Sequence, residues 1–157
     1  MYSILMSIKT KYAEKIFNGT KKWEYRKNLP RVGTPLFPSI VVVYSSGKDK
    51  AIIGHFTIKR MVKTPLDNLI KITGLPTNSE TVRWFKSYYK NNSFCGAIEI
   101  QNFYRLPKPI KLDAIKRLIP EFRPPQNFVY LKKDDKLLDI ITIKGSVVKS
   151  ISNKVPD

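Results

Sequence analysis

The stretch "ILMSIKTKYAEKIFNGTKKWEYRK", Ile4 to Lys27, changes its apolar period twice, and those changes decide the fold. Its start belongs to a run from Met1 to Ile8 that reads as a short buried strand. At "KTKYAEKIFNG" the spacing becomes helical. Ala13, Ile16 and Phe17 share a face, Thr10 stands where a cap is wanted, and Gly19 stands where a left-handed residue ends a helix. From Lys21 to Asn28 the period falls to two, with Trp23 and Tyr25 on one side and Lys22, Glu24 and Arg26 on the other. That is the pattern of a half-buried strand with a charged face.

Working outward, "LPRVGTPLFP" is a loop by its prolines and glycine, and "SIVVVYSSG" is a strand apolar enough to be buried on both faces. "GKD" turns it into an antiparallel neighbour, "AIIGHFTIKRMV". Two short helices follow. "KTPLDNLIKITGLP" is started by Thr64 with Pro65 in the first turn, and "NSETVRWFKSYYKNN" by Asn78 or Ser79 with Glu80 in the first turn. "SFCGAIEIQNFYRL" returns to strand pattern, "KPIKLDAIKRLIPEF" is a short helix after proline, and "RPPQNFVYLKK" is extended. The order βαβββααβαβ mixes helices with antiparallel strands irregularly, which predicts an α+β fold around a small barrel. Residues 1–133 form one domain in this reading. Residues 134–157 are a C-terminal extension, with "KLLDIITIKGSVVKS" as a hairpin turning at Gly145 and a frayed end.

The 157 residues carry 29 Lys plus Arg against 12 Asp plus Glu, a net charge of +17 that attracts polyanions. Nucleic acid is the first partner this implies. No stretch approaches the roughly 18 apolar residues of a membrane span, and no long basic amphipathic helix appears, so no membrane partner is expected. The single cysteine, Cys95, cannot form an internal disulfide, and with one histidine, His55, a His/Cys zinc site is not available within the chain. No metal and no other cofactor is expected. The opening "MYSILMSIKT" has neither a charged lead nor a small-residue cleavage site, so a cytoplasmic location is the expectation.

"ILMSIKTKYAEKIFNGTKKWEYRK" resembles the opening of ASCH domains in the PUA-like superfamily, in which a strand and a glycine-ended helix precede a Gly-x-Lys-x-x-Glu-x-Arg pattern. Here the pattern is Gly19, Lys21, Glu24 and Arg26. "VVVYSSGKDKAIIGHFTIKRMV" and "FRPPQNFVYL" are similar to later segments of the same family, so the resemblance covers about Met1 to Leu131. It implies a small β-barrel of five or six mixed strands flanked by short helices, a cleft between barrel and first helix, and RNA binding. Some small bacterial members are acetylcytidine amidohydrolases, and some relatives have been assigned ribonuclease activity. This chain departs from the small hydrolases, which carry threonines after their lysine where it has Lys22 and Glu24.

The motif residues admit two chemistries. Lys21 at a cleft wall can contact phosphate as a point charge, or lose its proton and act as base or nucleophile with Glu24, or Glu80, moving protons. Glu24 and Arg26 point to one face of a strand, where they form an ion pair or straddle a polar ligand. Ser45 and Ser46, where a buried strand meets a turn, either reach into a cleft or satisfy turn backbone. His55, mid-strand, reads as a packed or surface residue. Trp23 and Tyr25, and the rings Trp84, Tyr88 and Tyr89 beside Arg83 and Lys86, read as core anchors or as platforms for an exposed base. Lys9, Lys11, Lys15, Lys21, Lys22, Arg26, Lys27 and Arg31 crowd about the first helix, a cluster suited to counterion release from a phosphate backbone. The reading is an RNA-preferring or single-stranded nucleic-acid-binding protein whose contacts are Lys9, Lys11, Lys21, Lys22, Glu24, Arg26, Ser45 and Ser46. The alternative is an RNA-related hydrolase with Lys21 and Glu24 catalytic.

Overall fold

The computed structural model describes residues 3–31, 40–90 and 92–145. In chain order the elements are β1 (Ser3–Lys9), α1 (Thr10–Phe17), β2 (Trp23–Arg26), β3 (Ile40–Ser46), β4 (Ala51–Thr64), α2 (Leu66–Thr73), α3 (Ser79–Tyr89), β5 (Cys95–Lys111), α4 (Leu112–Leu118), β6 (Phe128–Leu131) and α5 (Lys136–Gly145). The six strands form one sheet ordered β2-β5-β4-β3-β1-β6, in which β1 and β3 run parallel and every other pair is antiparallel. Register shifts at Ile52/Gly54, His55/Thr57 and Ile58/Arg60 bend the long β4–β5 ribbon. Bulges of this kind add twist, and the sheet curls into a half-barrel.

Both faces of the sheet are covered, which is why β1 and β3 read as nearly unbroken apolar runs. On one face Ile4, Met6, Ile8, Val41 and Val43 meet Ala13, Ile16 and Phe17 of α1. On the other, Leu5, Val42 and Tyr44 meet Ile115 of α4 and Leu137, Ile140 and Ile141 of α5. Phe85 and Tyr89 of α3 and Leu69 of α2 cover Trp23, Cys95 and Ala97 in a third cluster. The helix–sheet contact of α1 depends on Gly54. A Cβ there would lie 2.3 Å from the Tyr104 carbonyl oxygen and 2.6 Å from Phe17 Cε1, closer than packed atoms approach.

Several expectations are met and others corrected. Gly19 takes φ +81°, the left-handed end expected of it. Asn78 caps α3, accepting from the Thr81 amide at 2.8 Å. Thr10 does not cap α1. It is the first helical residue, and its hydroxyl lies 2.9 Å from both Ser45 Oγ and the Ser46 carbonyl oxygen. Thr64 ends β4 and accepts a hydrogen bond from Asn68 at 2.7 Å, leaving Pro65 at the cap of α2. The helix expected from Lys108 begins only at Leu112, because β5 continues through Pro107 and Pro109. Beyond Ile100 the strand has left β2 behind and, among the described residues, pairs with β4 alone, so prolines there break no second ladder. Residues 136–145 form a helix rather than the first arm of a hairpin, with Leu137, Ile140 and Ile141 buried in the same cluster as Leu5. The expected frayed end, and most of the Pro/Gly loop before β3, lie outside the described residues.

His55 is 1% exposed on β4, its ring 5.2 Å from that of Tyr104, and neither ring nitrogen has a hydrogen-bond partner among the described residues. Burial pushes its pKa below the ordinary 6.5. The unfolded chain therefore binds a proton that the folded chain refuses. Stability is whole above pH 6.5 and falls as pH drops below it. Urea unfolding midpoints across this range should decline with acid in the wild type and decline less steeply in His55→Leu. Gly54→Ala should cost about 1–3 kcal/mol in the same assay, as overpacking does.

Candidate functional site

The end of α1 delivers the first residue of the site. Asn18 Oδ1 accepts from the Thr20 amide at 3.0 Å and the Thr20 hydroxyl at 2.7 Å, and the Lys21 amide donates to the Lys15 carbonyl at 2.9 Å. This knot, made possible by the left-handed Gly19, turns the chain back over its own helix and sets Lys21 at the mouth of β2. The Ile100 amide then donates to the Lys22 carbonyl at 2.9 Å, and Trp23–Arg26 pair with Gly96–Glu99 of β5.

Glu24 lies opposite Ile98, whose side chain belongs to the face covered by α1. Its side chain is 6% exposed, too dry for an unpaired carboxylate. It is held from both sides. Oε2 accepts from Lys21 Nζ, and Oε1 accepts from Arg26 Nε at 3.0 Å. Lys21 and Arg26 are themselves only 15% and 13% exposed. Arg26 reaches further, donating from Nη1 to Asn127 Oδ1 at 2.7 Å and from Nη2 to the Ser7 carbonyl at 2.6 Å. β2 at one edge of the sheet is thus tied to β1 and to the segment before β6 at the other.

Two cations around one carboxylate leave an excess positive charge in a largely buried cluster. Aromatic rings wall it: Lys21 Nζ sits 5.5 Å from the Tyr12 ring centroid and 5.6 Å from that of Tyr25. The Tyr25 phenol is pushed up in pKa, first by burial, so it stays a neutral donor. Such a cluster suits a neutral or anionic group that accepts hydrogen bonds from Lys21 and Arg26.

The structure brings Lys21, Glu24 and Arg26 together as the motif implies. Lys9, Lys11 and Lys22 are exposed, with Lys11 Nζ 4.9 Å from the Tyr12 ring. Ser45 is fully buried, its hydroxyl donating to Asp49 Oδ2 at 2.8 Å and lying beside Thr10. Among the described residues the recorded bonds of Ser45 and Ser46 run to this Thr10–Asp49 group, which pins the β3–β4 turn to the start of α1. A cavity of about 320 Å³ lined by Leu5, Phe122, Tyr130 and Leu137, among others, contains none of the expected site residues. Sequence reasoning missed Tyr12, Ser7 and Asn127. Asn127 lies 101 residues from Arg26, and only its place in "FRPPQNFVYL" hinted at a role.

Removing Arg26 leaves the buried Glu24 with one partner and frees the two sheet edges. Arg26→Ala should lower stability by roughly 3 to 5 kcal/mol, as stranding a buried charge does. Arg26→Lys should recover only part of this, because an ammonium cannot span three acceptors in the guanidinium's geometry. Denaturant melts of the two variants check both.

Comparison with known proteins bears on the family and the fold. The ASCH domain family profile matches residues 6–102. The chain is 22% identical over 131 residues to an ASCH domain-containing ribonuclease of Zymomonas mobilis, covering 83% of this chain and 85% of that protein. The crystal structure of ASCH from Zymomonas mobilis matches with a TM-score of 0.73 at 20% identity, over 88% of this chain and 93% of that one. The N-terminal domain of Staphylothermus marinus McrB matches with a TM-score of 0.56 at 12% identity, over 91% and 94% of the two chains. At such identities the solved structures speak for a shared fold. With the profile spanning most of the described chain and the Gly19, Lys21, Glu24, Arg26 pattern assembled as one array, the chain belongs to the ASCH domain family.

Proposed function

We propose that this ASCH domain binds RNA, in preference to DNA, through exposed lysines that meet backbone phosphates and a recess at Lys21, Glu24 and Arg26 that accepts a base or nucleoside. The observation that carries this reading is the nearly buried Lys21–Glu24–Arg26 array, positive overall and walled by Tyr12 and Tyr25. Lys21 retains donors that Glu24 does not take up. A nucleobase carbonyl or a phosphate oxygen is the group that complements them. Lys9, Lys11, Lys15 and Lys22 are exposed on or beside α1, and supply the sequence-independent attraction. The ribonuclease name of the Zymomonas mobilis relative agrees with RNA as the polymer.

A second reading, hydrolysis, is favoured by the direct contact of Lys21 Nζ with the Glu24 carboxylate. That contact places a carboxylate beside the amine as a proton acceptor, the part an adjacent general base plays for a nucleophile. In an acetylcytidine amidohydrolase the pair would act on the acetyl amide. In a ribonuclease it would assist attack on the phosphodiester.

Affinity for single-stranded RNA, measured across a salt series, should be high at low salt and fall linearly on a log–log plot. Absence of binding at low salt, or indifference to salt, overturns the proposal. Lys21→Ala should weaken binding by about tenfold, the loss of one charge-assisted hydrogen bond. Incubation of the protein with N4-acetylcytidine, and separately with labelled RNA without added metal, decides the second reading. Release of acetate or of shortened RNA that disappears in Lys21→Ala establishes an enzyme, and no such release removes that reading.

A further inference from the structure

Helix α3 buries Phe85 and Tyr89 against the sheet, yet Trp84 remains 46% exposed. Its indole lies nearly parallel to the Tyr88 ring, with centroids 5.2 Å apart and planes 9° apart. Each ring is braced from beneath: Trp84 meets Phe85 edge-on at 4.8 Å, and Tyr88 meets Tyr89 edge-on at 4.8 Å. The pair is therefore a rigid ledge rather than two mobile side chains.

The ledge joins the site already described. The Tyr88 hydroxyl donates to the Tyr25 carbonyl at 3.2 Å, and Tyr25 is one of the two rings beside Lys21. The Tyr88 phenol is pushed up chiefly by burial, and it also feels the charges of Arg26 and Glu24. Cations flank it. Lys27 Nζ stands 5.1 Å from the Tyr88 centroid, and Arg83 is exposed on the same helix.

A flat, half-exposed aromatic surface edged by positive charge has a specific complement: a polymer with flat bases and a phosphate backbone. A second copy of the chain is disfavoured as the occupant, because each copy carries +17. An apolar protein surface would leave Lys27 and Arg83 without counter-charge. We propose that Trp84 and Tyr88, with Lys27, form a second nucleotide subsite, where a base of single-stranded RNA stacks beside the nucleotide held at Lys21, Glu24 and Arg26. The inference rests on the RNA-binding reading above and extends it from one nucleotide to a strand. The ring contacts would tolerate any base, since every base has a π-face, and Lys27 would meet the adjoining phosphate.

The test uses the full chain and an oligouridylate of about ten nucleotides, long enough to span one binding groove. The protein has two tryptophans, and Trp23 is only 7% exposed, so quenching of exposed indole emission reports Trp84. Wild type should show saturable quenching. Trp84→Leu should weaken binding about tenfold with the salt slope unchanged, Trp84→Phe should keep most of the affinity, and Lys27→Ala should lower the slope by about one phosphate contact. Circular dichroism confirms that the variants fold. Salt-dependent binding by wild type without quenching, and with Trp84→Leu unaffected, overturns the subsite while leaving the RNA-binding reading standing. No binding by wild type at low salt overturns both. Quenching that depends on protein concentration without RNA assigns the ledge to a second copy and also overturns the proposal.

Discussion

The guanidinium of Arg26 is where three distant parts of the chain meet. Its Nε holds the buried carboxylate of Glu24, one Nη reaches Asn127 before β6, and the other reaches the Ser7 carbonyl of β1. Six strands in the order β2-β5-β4-β3-β1-β6 would leave β2 and β6 as opposite edges of an open sheet. A planar fork with fixed donor directions draws those edges toward each other, and a carboxylate 6% exposed makes release of the fork costly. The close pairing of β2 on β5 at this point also needs Gly96, where a Cβ would lie 2.4 Å from the Arg26 carbonyl oxygen.

That closure also leaves the Lys21–Glu24–Arg26 array with its own charge balance. One carboxylate is satisfied by two cations, so the array carries a net positive charge. Lys21 occupies its place because a helix ends at a left-handed glycine and the following turn is knotted by Asn18 and Thr20. The rings of Tyr12, Tyr25 and Tyr88 come from α1, β2 and α3, so residues of the first helix, the edge strand and the third helix lie near or are linked to the array.

The sequence is most legible where a local rule suffices. A period of two placed Glu24 and Arg26 on one face of a strand, and the face they share in the structure is the one expected. The same rule misjudged what covers that face: it described a charged side of a half-buried strand, whereas Glu24 is drier than Tyr25. Charge along a strand says nothing of which distant groups will come to meet it. The hydroxyls show the same limit. Thr10 and Ser45 carried sound local readings as a cap and a cleft residue, and the contact between the start of α1 and β3 diverted both into one part-buried cluster with Asp49. Pro107 and Pro109 argued for the end of a strand, and only the loss of β2 as a neighbour lets β5 run through them.

The sequence by itself determined the strand–helix–strand opening, the glycine-ended helix, the doubly buried β3 and the family motif, because each depends on neighbours within a few residues. Tertiary structure alone decided that Glu24 is buried, that Asn127 and Ser7 complete the bonds of Arg26, and that residues 136–145 are a helix covering Leu5 rather than a hairpin. The physical reason is range. Backbone sterics and side-chain period act locally, whereas the desolvation of a charge and the partner that offsets it depend on which strands a curled sheet brings together across 101 residues.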